Sequence, residues 1–323
     1  MGDTTITPGT AEWMGNAVRA ELSKAVKGQE AIIDGLLICL LADGHALLEG
    51  VPGTAKTLMA KTLAHTLHCV FHRVQFTPDL MPSDIIGTTV YDMKTAEFFV
   101  KQGPVFTAIL LADEINRTPP KTQAALLQAM EEHRVSIDGV DHILPSPFLV
   151  IATQNPIEYE GTYPLPEAQL DRFLMKLKVD YPTPDEELQV LRLHRDGFDP
   201  HQLAESSINA VVDEALLAAA KAEVAHITVE DGVLQYLVQI VGATRNAQQV
   251  TLGASPRATV ALLRCSRAMA ALEGRSFITP DDVKMIARPV LRHRIILRPE
   301  AELEGLTTDQ LIESVLSSVP VPR

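Results

Sequence analysis

The sequence is poor in cysteine and in basic residues. Its three cysteines, Cys39, Cys69 and Cys265, are scattered along 323 residues. Thiols this few and this widely spaced do not suggest a disulfide framework, which predicts a protein of the reducing cytoplasm. The 41 acidic residues outnumber the 28 basic ones and give a formal net charge of -13. Such a charge repels a phosphate backbone, so it argues against non-specific nucleic-acid binding while leaving room for a local basic groove.

Long hydrophobic runs and a leader sequence are also lacking. The longest apolar run, residues 32–48, is interrupted by Asp34 and Asp43 and falls short of the roughly 18 residues that a membrane-spanning helix needs. The opening stretch MGDTTITPGTAEW does not show the charged and then apolar pattern of a signal peptide. No Asn-Lys-x-Asp stretch for recognising guanine occurs. We therefore expect neither a membrane span nor a small GTPase.

The first half of the chain contains short apolar runs at intervals. The runs HALLEG, HRVQF, AILLAD, PFLVIAT and FLMKLKV are typical of buried strands, and helical patterns or loops separate them. Buried strands that alternate with helices are the signature of a parallel sheet covered on both faces. The sequence therefore predicts an α/β fold for this half.

The pattern changes near residue 183, where VDYPTPDEE brings two prolines and an acidic cluster and no comparable strand run follows. The remainder is helical in pattern and has clear helix starts. Ser255 stands before one helix, and Thr279 with Asp282 forms a capping box for another. A chain of this length can build two cores. We predict an α/β domain at 1–183 and a small all-α domain at 184–323.

The stretch GVPGTAKT at residues 50–57 nearly matches the phosphate-binding loop G-x-x-x-x-G-K-[S/T], except that Ala55 replaces the second glycine. Alanine is small enough to be tolerated if φ at this position stays negative. Lys56 would then reach the β- and γ-phosphates, and the Thr57 hydroxyl would bind Mg²⁺. A glycine turn with a surface lysine explains the octamer equally well. The candidate nucleotide-binding residues are Gly50, Pro52, Gly53, Thr54, Ala55, Lys56, Thr57 and Leu58.

A pair of acids follows the predicted strand AILLAD, about 60 residues after the loop. A parallel sheet presents the carboxyl ends of its strands to ligands. Asp113 is therefore a candidate Mg²⁺ ligand, and Glu114 is a candidate for polarising the attacking water. A solvated acidic turn is the alternative, but the upstream phosphate-binding loop makes the catalytic interpretation much stronger.

Four motifs together, GVPGTAKT, LLADEINR, ATQNP and LPEAQLDRF, resemble in order and spacing the MoxR family of AAA+ ATPases. The resemblance covers nearly the whole chain. It implies an AAA+ nucleotide-binding core with a hairpin inserted in helix 2, followed by a helical lid. It also implies ATP and Mg²⁺ as cofactors. In this family alanine commonly precedes the lysine of the loop, so Ala55 fits the pattern.

The resemblance also implies roles for three further residues. Asn155 in ATQNP matches the sensor-1 position, which contacts the γ-phosphate and the attacking water; otherwise it is a turn residue before proline. Arg172 in LPEAQLDRF matches an arginine finger that acts on the nucleotide of a neighbouring subunit, and a local salt bridge is the alternative. Arg257 in GASPRA matches sensor 2, through which the lid closes on ATP, although a surface arginine competes with this interpretation. For Arg117 the sequence leaves open whether it faces an adjacent subunit.

Two other segments match the family by position. The stretch GTTVYDMKTAEFFVKQGPVF predicts a hairpin at the helix-2 insert, where Tyr91, Phe98 and Phe99 are candidates for contacting a partner polypeptide or packing on their own core. The stretch VKGQEAIIDGLL matches the region beside the adenine base, which weakly implicates Gly28 and Gln29.

The run HTLHCVFH places three histidines and a cysteine close together in sequence. It crosses from a predicted helix into a strand, so we do not expect the side chains to converge on a metal ion. They are His65, His68, Cys69 and His72.

The sequence thus indicates an Mg²⁺-dependent ATPase. The resemblance implies a homo-oligomeric ring, a hexamer, that remodels or matures a client protein, often through a von Willebrand factor A domain adaptor. A DNA-remodelling motor is one alternative, which the acidic charge disfavours. A nucleotide-gated scaffold with little turnover is another, and it conflicts with the complete set of catalytic residue types.

Overall fold

The computed structural model describes residues 9–156, 161–200, 202–203 and 207–322. Each of the five predicted strands is present in the first half of the chain, in one parallel sheet of order β2-β5-β8-β1-β9. The α/β prediction is therefore confirmed. The strands are β1 (Ala46–Gly50), β2 (Phe71–Gln75), β5 (Ile109–Asp113), β8 (Leu149–Gln154) and β9 (Met175–Val179).

Helices flank this sheet and connect its strands. The sheet's middle strands are buried along almost their whole length, as expected when both faces are covered. A 3₁₀ turn at Ile115–Arg117 follows β5 directly. The helices up to the last strand are α1 (Thr10–Ala25), α2 (Glu30–Leu41), α3 (Lys56–Thr66), α4 (Pro82–Ile86), α5 (Pro120–Glu132) and α6 (Glu167–Leu170), and α7 (Pro184–Arg195) follows β9.

Two antiparallel hairpins extend from the sheet domain. The predicted hairpin is β3 (Gly87–Asp92) with β4 (Glu97–Gln102). The sequence analysis missed the second, β6 (Arg134–Ile137) with β7 (Val140–Ile143). Its turn is an Asp-Gly pair, residues 138 and 139, with φ of 50° and 82°. Asp-Gly between alternating apolar residues is a strong hairpin signal, so the sequence did contain the information.

The second half of the chain is helical, as predicted, with one addition. Two short strands, β10 (Val250–Leu252) and β11 (Ile296–Leu297), pair antiparallel, so the all-α expectation was too simple. Strands of three and two residues leave almost no periodicity to detect. The helices are α8 (Glu214–Ala225), α9 (Asp231–Asn246), α10 (Pro256–Leu272), α11 (Pro280–Leu291), α12 (Pro299–Leu303) and α13 (Thr308–Ser318). Within the described ranges, none of the helices combines the length and the apolar character that a membrane span requires.

One hydrophobic cluster continues from the sheet domain into these helices. Helix α1 packs on α8 and α10 as well as on α3. The buried carboxylate of Glu223 on α8 accepts hydrogen bonds from the backbone N–H groups of Gly9 and Ala11, at 2.7 and 2.8 Å. It thereby satisfies donors at the start of α1 that no local side chain caps. The division at residue 183 remains a prediction from the sequence.

A buried histidine joins the start of β1 to its neighbours. The His45 Nε2–H donates to the Met130 carbonyl at 3.1 Å, and Nδ1 accepts from the Val150 N–H at 3.0 Å. This pattern requires the neutral ring. Burial lowers the pKa of His45 to about 4. Burial likewise lowers the pKa of His293, whose Nε2–H donates to the Phe173 carbonyl.

We expect these histidines to make folding sensitive to mild acid. The unfolded chain binds protons below about pH 6.5, whereas folded His45 resists protonation until about pH 4, so stability falls as pH decreases through this window. The full shift corresponds to about 3 kcal/mol for His45, of which about 2 kcal/mol is lost between pH 8 and pH 5. Urea unfolding at pH 8, 6 and 5 would measure it. His45→Gln should flatten this dependence, and exposed His226→Gln should not; an unchanged slope in His45→Gln would contradict the assignment.

Candidate nucleotide-binding site

The loop of residues 50–57 connects β1 to α3, as the sequence indicates. Gly50 is needed at the end of β1, because a Cβ there would lie 2.4 Å from the Val179 carbonyl oxygen of the adjacent strand. Gly53 has a φ of 83°, in the left-handed region that favours glycine, and a Cβ there would meet nothing within 4 Å. The two glycines therefore serve different purposes, one for strand packing and one for the turn.

Ala55 does not have the negative φ that the sequence analysis required for an alanine at this position. Its φ is 59° and its ψ is 19°, so it adopts the left-handed conformation immediately before α3 instead of a negative φ. The loop must reverse its curvature at this residue so that the first helical N–H groups turn towards the loop interior. Alanine accepts this conformation at a cost of about 1–2 kcal/mol, because its Cβ crowds the backbone.

Ala55→Gly should therefore be tolerated and should raise the free energy of unfolding by about 0.5 kcal/mol. Relief of the strain is partly offset by the greater freedom of glycine in the unfolded chain. Ala55→Val should lower it by more than 1 kcal/mol, because a β-branched side chain fits this region poorly. Urea unfolding measures both, and Ala60→Gly in the middle of α3 is the matched control, expected to destabilise by about 1 kcal/mol. A loss of 1 kcal/mol in Ala55→Gly would contradict this account.

The two acids lie at the carboxyl end of β5. Asp113 Oδ1 accepts from the Thr153 hydroxyl at 2.6 Å, and the same hydroxyl oxygen accepts from the Glu114 N–H at 2.9 Å. Glu114 has a φ of 56°, a left-handed conformation that is uncommon for a non-glycine residue. Strain of this kind often marks functional positions. Thr153 on the neighbouring strand thus contacts both acids, the side chain of Asp113 and the backbone of Glu114, and stabilises the turn between them.

Strand β2 contributes two residues that the sequence analysis missed. The Arg73 guanidinium donates to Asp113 Oδ2 through Nη2 at 2.7 Å and Nε at 3.1 Å. The Gln75 amide donates to Glu114 Oε2 at 2.6 Å. Residues two apart on a strand share a face, so HRVQF signalled that these side chains point the same way. That β2 lies beside β5 follows only from the sheet order.

The loop, the two acids and Asn155 line one cavity of about 650 Å³. The Lys56 ammonium donates to the carbonyl oxygens of Gly50 and Val51, both at 2.7 Å. Burial lowers the pKa of Lys56, and the charges of Asp113 and Glu114 oppose this shift. The lining residues among those predicted are Gly50, Pro52, Gly53, Thr54, Ala55, Lys56, Thr57, Leu58, Asp113, Glu114 and Asn155.

The residues present suit a magnesium ion with a nucleotide. Thr57 and Asp113 both line this cavity, and hydroxyl and carboxylate oxygens are hard ligands of the kind that Mg²⁺ prefers. One carboxylate and one hydroxyl leave most of the coordination positions for water and phosphate oxygens, as is usual for this ion. The chemistry of the side chains is therefore compatible with the cofactor that the sequence predicts.

A second cavity, of about 590 Å³, adjoins the first across the loop. Gln29 lies in its wall and donates from its amide to the Asp180 carbonyl at 3.1 Å. Gly28 has a φ of 70°, and a Cβ there would clash with Glu186. The remaining walls are largely apolar and include residues that the sequence analysis assigned only to the predicted domain boundary or to the helical half: Tyr181, Pro182, Val190, Leu191 and Phe198.

Arg172 and Arg257 are close to each other but do not line the described part of either cavity. Both pair with Glu131 at the end of α5, Arg172 through Nη2 at 3.2 Å and Arg257 through Nη2 at 2.7 Å. Arg257 therefore does not line the phosphate cavity of its own chain in this structure, and its sensor-2 role stays a prediction.

Other predicted residues have local partners. Arg117 pairs with Glu114 Oε2 at 3.0 Å within the same chain. In the HTLHCVFH run, His65 Nε2 contacts the Ile208 carbonyl and His72 Nδ1 contacts the Pro104 carbonyl, so these rings point to different elements. The described residues contain no group of three or more His, Cys, Asp or Glu side chains arranged to hold a metal ion.

Sequence comparison connects this geometry with known proteins. Residues 45–175 match the model of the ATPase family associated with various cellular activities (AAA), and residues 242–315 match the AAA lid domain. The first match contains the loop, both acids and Arg172; the second contains Arg257.

Similar proteins of nearly full length are known. Chaperone MoxR1 of Mycobacterium tuberculosis is 42% identical over 331 residues, covering 98% of this chain and 86% of the relative. Protein MoxR of Methylorubrum extorquens is 32% identical, covering 98% and 99%. A crystal structure from Cytophaga hutchinsonii, of a protein ascribed an ATPase activity, is 43% identical with a TM-score of 0.88 and covers 97% of each chain.

Proposed function

Because this chain belongs to the MoxR family of AAA+ ATPases and hydrolyses ATP, we propose that it works as an Mg²⁺-dependent ring, a hexamer, that remodels a client protein. Each ATP would be held between the loop of one subunit and Arg172 of the next. The observation that carries the nucleotide-binding part of this proposal is the pair of adjoining cavities around the loop.

These cavities have complementary chemistry and share one wall. Both are lined by Pro52, Gly53, Thr54, Ala55 and Leu58 of the loop and the start of α3. The first contains the ammonium of Lys56 and the acids, which suit triphosphate and metal. The second is mostly apolar, with the buried Gln29 in its wall, which suits a purine base. A nucleotide that spans the loop would place its phosphates in the first cavity and its base in the second.

The side chains of the first cavity support phosphoryl transfer to water. Glu114 would accept a proton from the attacking water, and Asn155 would orient that water and the γ-phosphate. The Lys56 ammonium, which donates to the loop carbonyl oxygens, would donate to phosphate oxygens instead, so its N–H groups would keep hydrogen-bond acceptors. Mg²⁺, held by Thr57 and Asp113, would supply charge neutralisation at the phosphates.

Arg172 and Arg257 would act on the nucleotide of an adjacent subunit. Neither arginine lines the phosphate cavity of its own chain, which supports a role at the neighbouring subunit's site. There they would add positive charge that stabilises the phosphoryl transition state. Arg117, paired with Glu114, would serve within its own subunit. We propose the same domain division at residue 183, with the helical region carrying Arg257 towards the interface.

The client would be a protein reached through the β3–β4 hairpin. Tyr91, Phe98 and Phe99 on this hairpin are 48%, 75% and 49% exposed, unlike residues that pack on a core. Tyr91 and Phe98 face each other across the strands, with ring centroids 5.0 Å apart. The printed name of one relative, Chaperone MoxR1, supports a chaperone role. The cytoplasm as the location and a von Willebrand factor A domain adaptor as the partner are part of this proposal.

The test is the rate of ATP hydrolysis per subunit, measured with Mg²⁺ over a wide range of protein concentration. A site completed by a neighbour predicts a specific rate that rises as rings assemble and then saturates. Sedimentation measured over the same range would establish where the chain is monomeric. A substantial rate that stays constant down to monomeric concentrations would overturn the ring proposal.

A further inference from the structure

Glu131 holds the two arginines of the proposed interface with separate oxygens of one carboxylate. Its Oε2 pairs with Arg172 at 3.2 Å, and its Oε1 pairs with Arg257 at 2.7 Å. Arg172 precedes β9 in the sheet domain, whereas Arg257 is in the first turn of α10. One acidic side chain therefore brings together two cations that are far apart in the sequence and belong to different parts of the fold.

The backbones that carry these arginines are fixed by a neighbouring network. Asp171, next to Arg172, accepts from Arg294 Nε at 2.6 Å and from the Ser255 hydroxyl, two residues before Arg257, at 3.1 Å. Arg294 is buried and also donates to the Phe173 and Leu174 carbonyls. This network fixes the positions of the two chain segments but does not direct the ends of the long arginine side chains.

Stability alone does not explain the Glu131 pairs. The side chains of Arg172, Arg257 and Glu131 are 29%, 50% and 40% exposed, and ion pairs this accessible to water contribute little to folding. Two guanidinium groups this close repel each other unless a carboxylate lies between them. With Glu131 present, the three charged groups keep a net charge of +1, which still attracts phosphate.

We propose that Glu131 is a positioning residue that holds Arg172 and Arg257 as a convergent pair, so that both reach one phosphate group of the adjacent subunit's nucleotide. The inference rests on the proposed function, because it requires a site shared between subunits. Without Glu131 the guanidinium groups would separate and sample many rotamers. The entropy lost when they become ordered would then raise the activation free energy of hydrolysis.

Glu131→Gln tests this directly, and Glu132→Gln is the matched control. Glu132 is the next residue on α5, and its carboxylate contacts Arg134 at 3.2 Å and Gln128 at 2.9 Å instead of bridging the two interface arginines. At saturating ATP and protein, kcat of Glu131→Gln should fall about tenfold to a hundredfold, as expected when reacting groups are misplaced. KM for ATP should change less than about threefold, because the loop binds the nucleotide. Glu132→Gln should match the wild type.

A double-mutant cycle separates positioning from a merely structural role. In an Arg257→Ala background, Glu131→Gln should lower kcat by less than about threefold, because no pair remains to be held together. The thermal midpoint and the affinity for a fluorescent ATP analogue should stay close to wild type. An equal loss of kcat in both backgrounds would overturn the proposal, as would a normal rate in Glu131→Gln.

These results are distinguishable from failure of the proposed function. If Arg172→Ala abolishes hydrolysis while Glu131→Gln has the wild-type rate, the shared site is supported and the positioning role of Glu131 is wrong. If Arg172→Ala hydrolyses ATP normally and without dependence on protein concentration, the shared site itself is wrong, and the positioning role falls with it.

Discussion

Replacing Glu114 with glutamine is expected to lower kcat by about 10²–10⁴-fold while leaving nucleotide binding intact. The carboxylate lies in the phosphate cavity, where it can accept a proton from water, and an amide cannot do so at neutral pH. Glutamine keeps the size of the side chain and its ability to contact Gln75, so the strained turn should persist. Single-turnover hydrolysis and titration with a fluorescent ATP analogue measure the two quantities separately.

The control is Glu132→Gln, which changes an acid of the same type on the surface of α5. Both variants should unfold at the wild-type temperature. A scaffold that binds ATP without significant turnover predicts no difference between them. Hydrolysis by Glu114→Gln within about threefold of wild type would therefore remove Glu114 from the catalytic role and favour that alternative.

Arg172→Ala is expected to lower kcat by about 10³-fold or more, as is typical for arginines that stabilise a phosphoryl transition state from a neighbouring subunit. The reason is the location of Arg172, which contacts Glu131 and not the cavity of its own chain in the described structure. Arg288→Ala is the matched control, because Arg288 is half-exposed and pairs with Glu313 at a distance from the phosphate loop. It should retain the wild-type rate.

Mixing the two inactive variants gives the sharpest result. In rings assembled from equal amounts of Arg172→Ala and Glu114→Gln, about a quarter of sites combine an intact Glu114 with an intact neighbouring Arg172, if assembly is random. Activity should therefore reappear at about a quarter of the wild-type rate. If Arg172 served its own subunit, no site would contain both residues, and the mixture would stay inactive.

The sequence by itself determined the features that depend on neighbouring residues. Strand runs, the phosphate loop, the two acids after β5 and the capping box at Thr279 each occupy short, contiguous stretches. Apart from the φ of Ala55, their backbone geometry follows from local sterics and hydrogen bonding, so each can be inferred without knowledge of the fold. The Asp-Gly turn of the second hairpin belonged to this class and was overlooked.

Only the tertiary structure decided the features that depend on which elements pack together. Sheet order sets Arg73 and Gln75 against the two acids, and the fold brings Arg172 and Arg257 to the same carboxylate, that of Glu131. The left-handed φ of Ala55 likewise arises because the loop must join a buried strand to a helix within a few residues. Burial of apolar surface throughout the molecule determines which elements pack together, and these contacts follow from that packing. A short stretch of sequence therefore does not predict them.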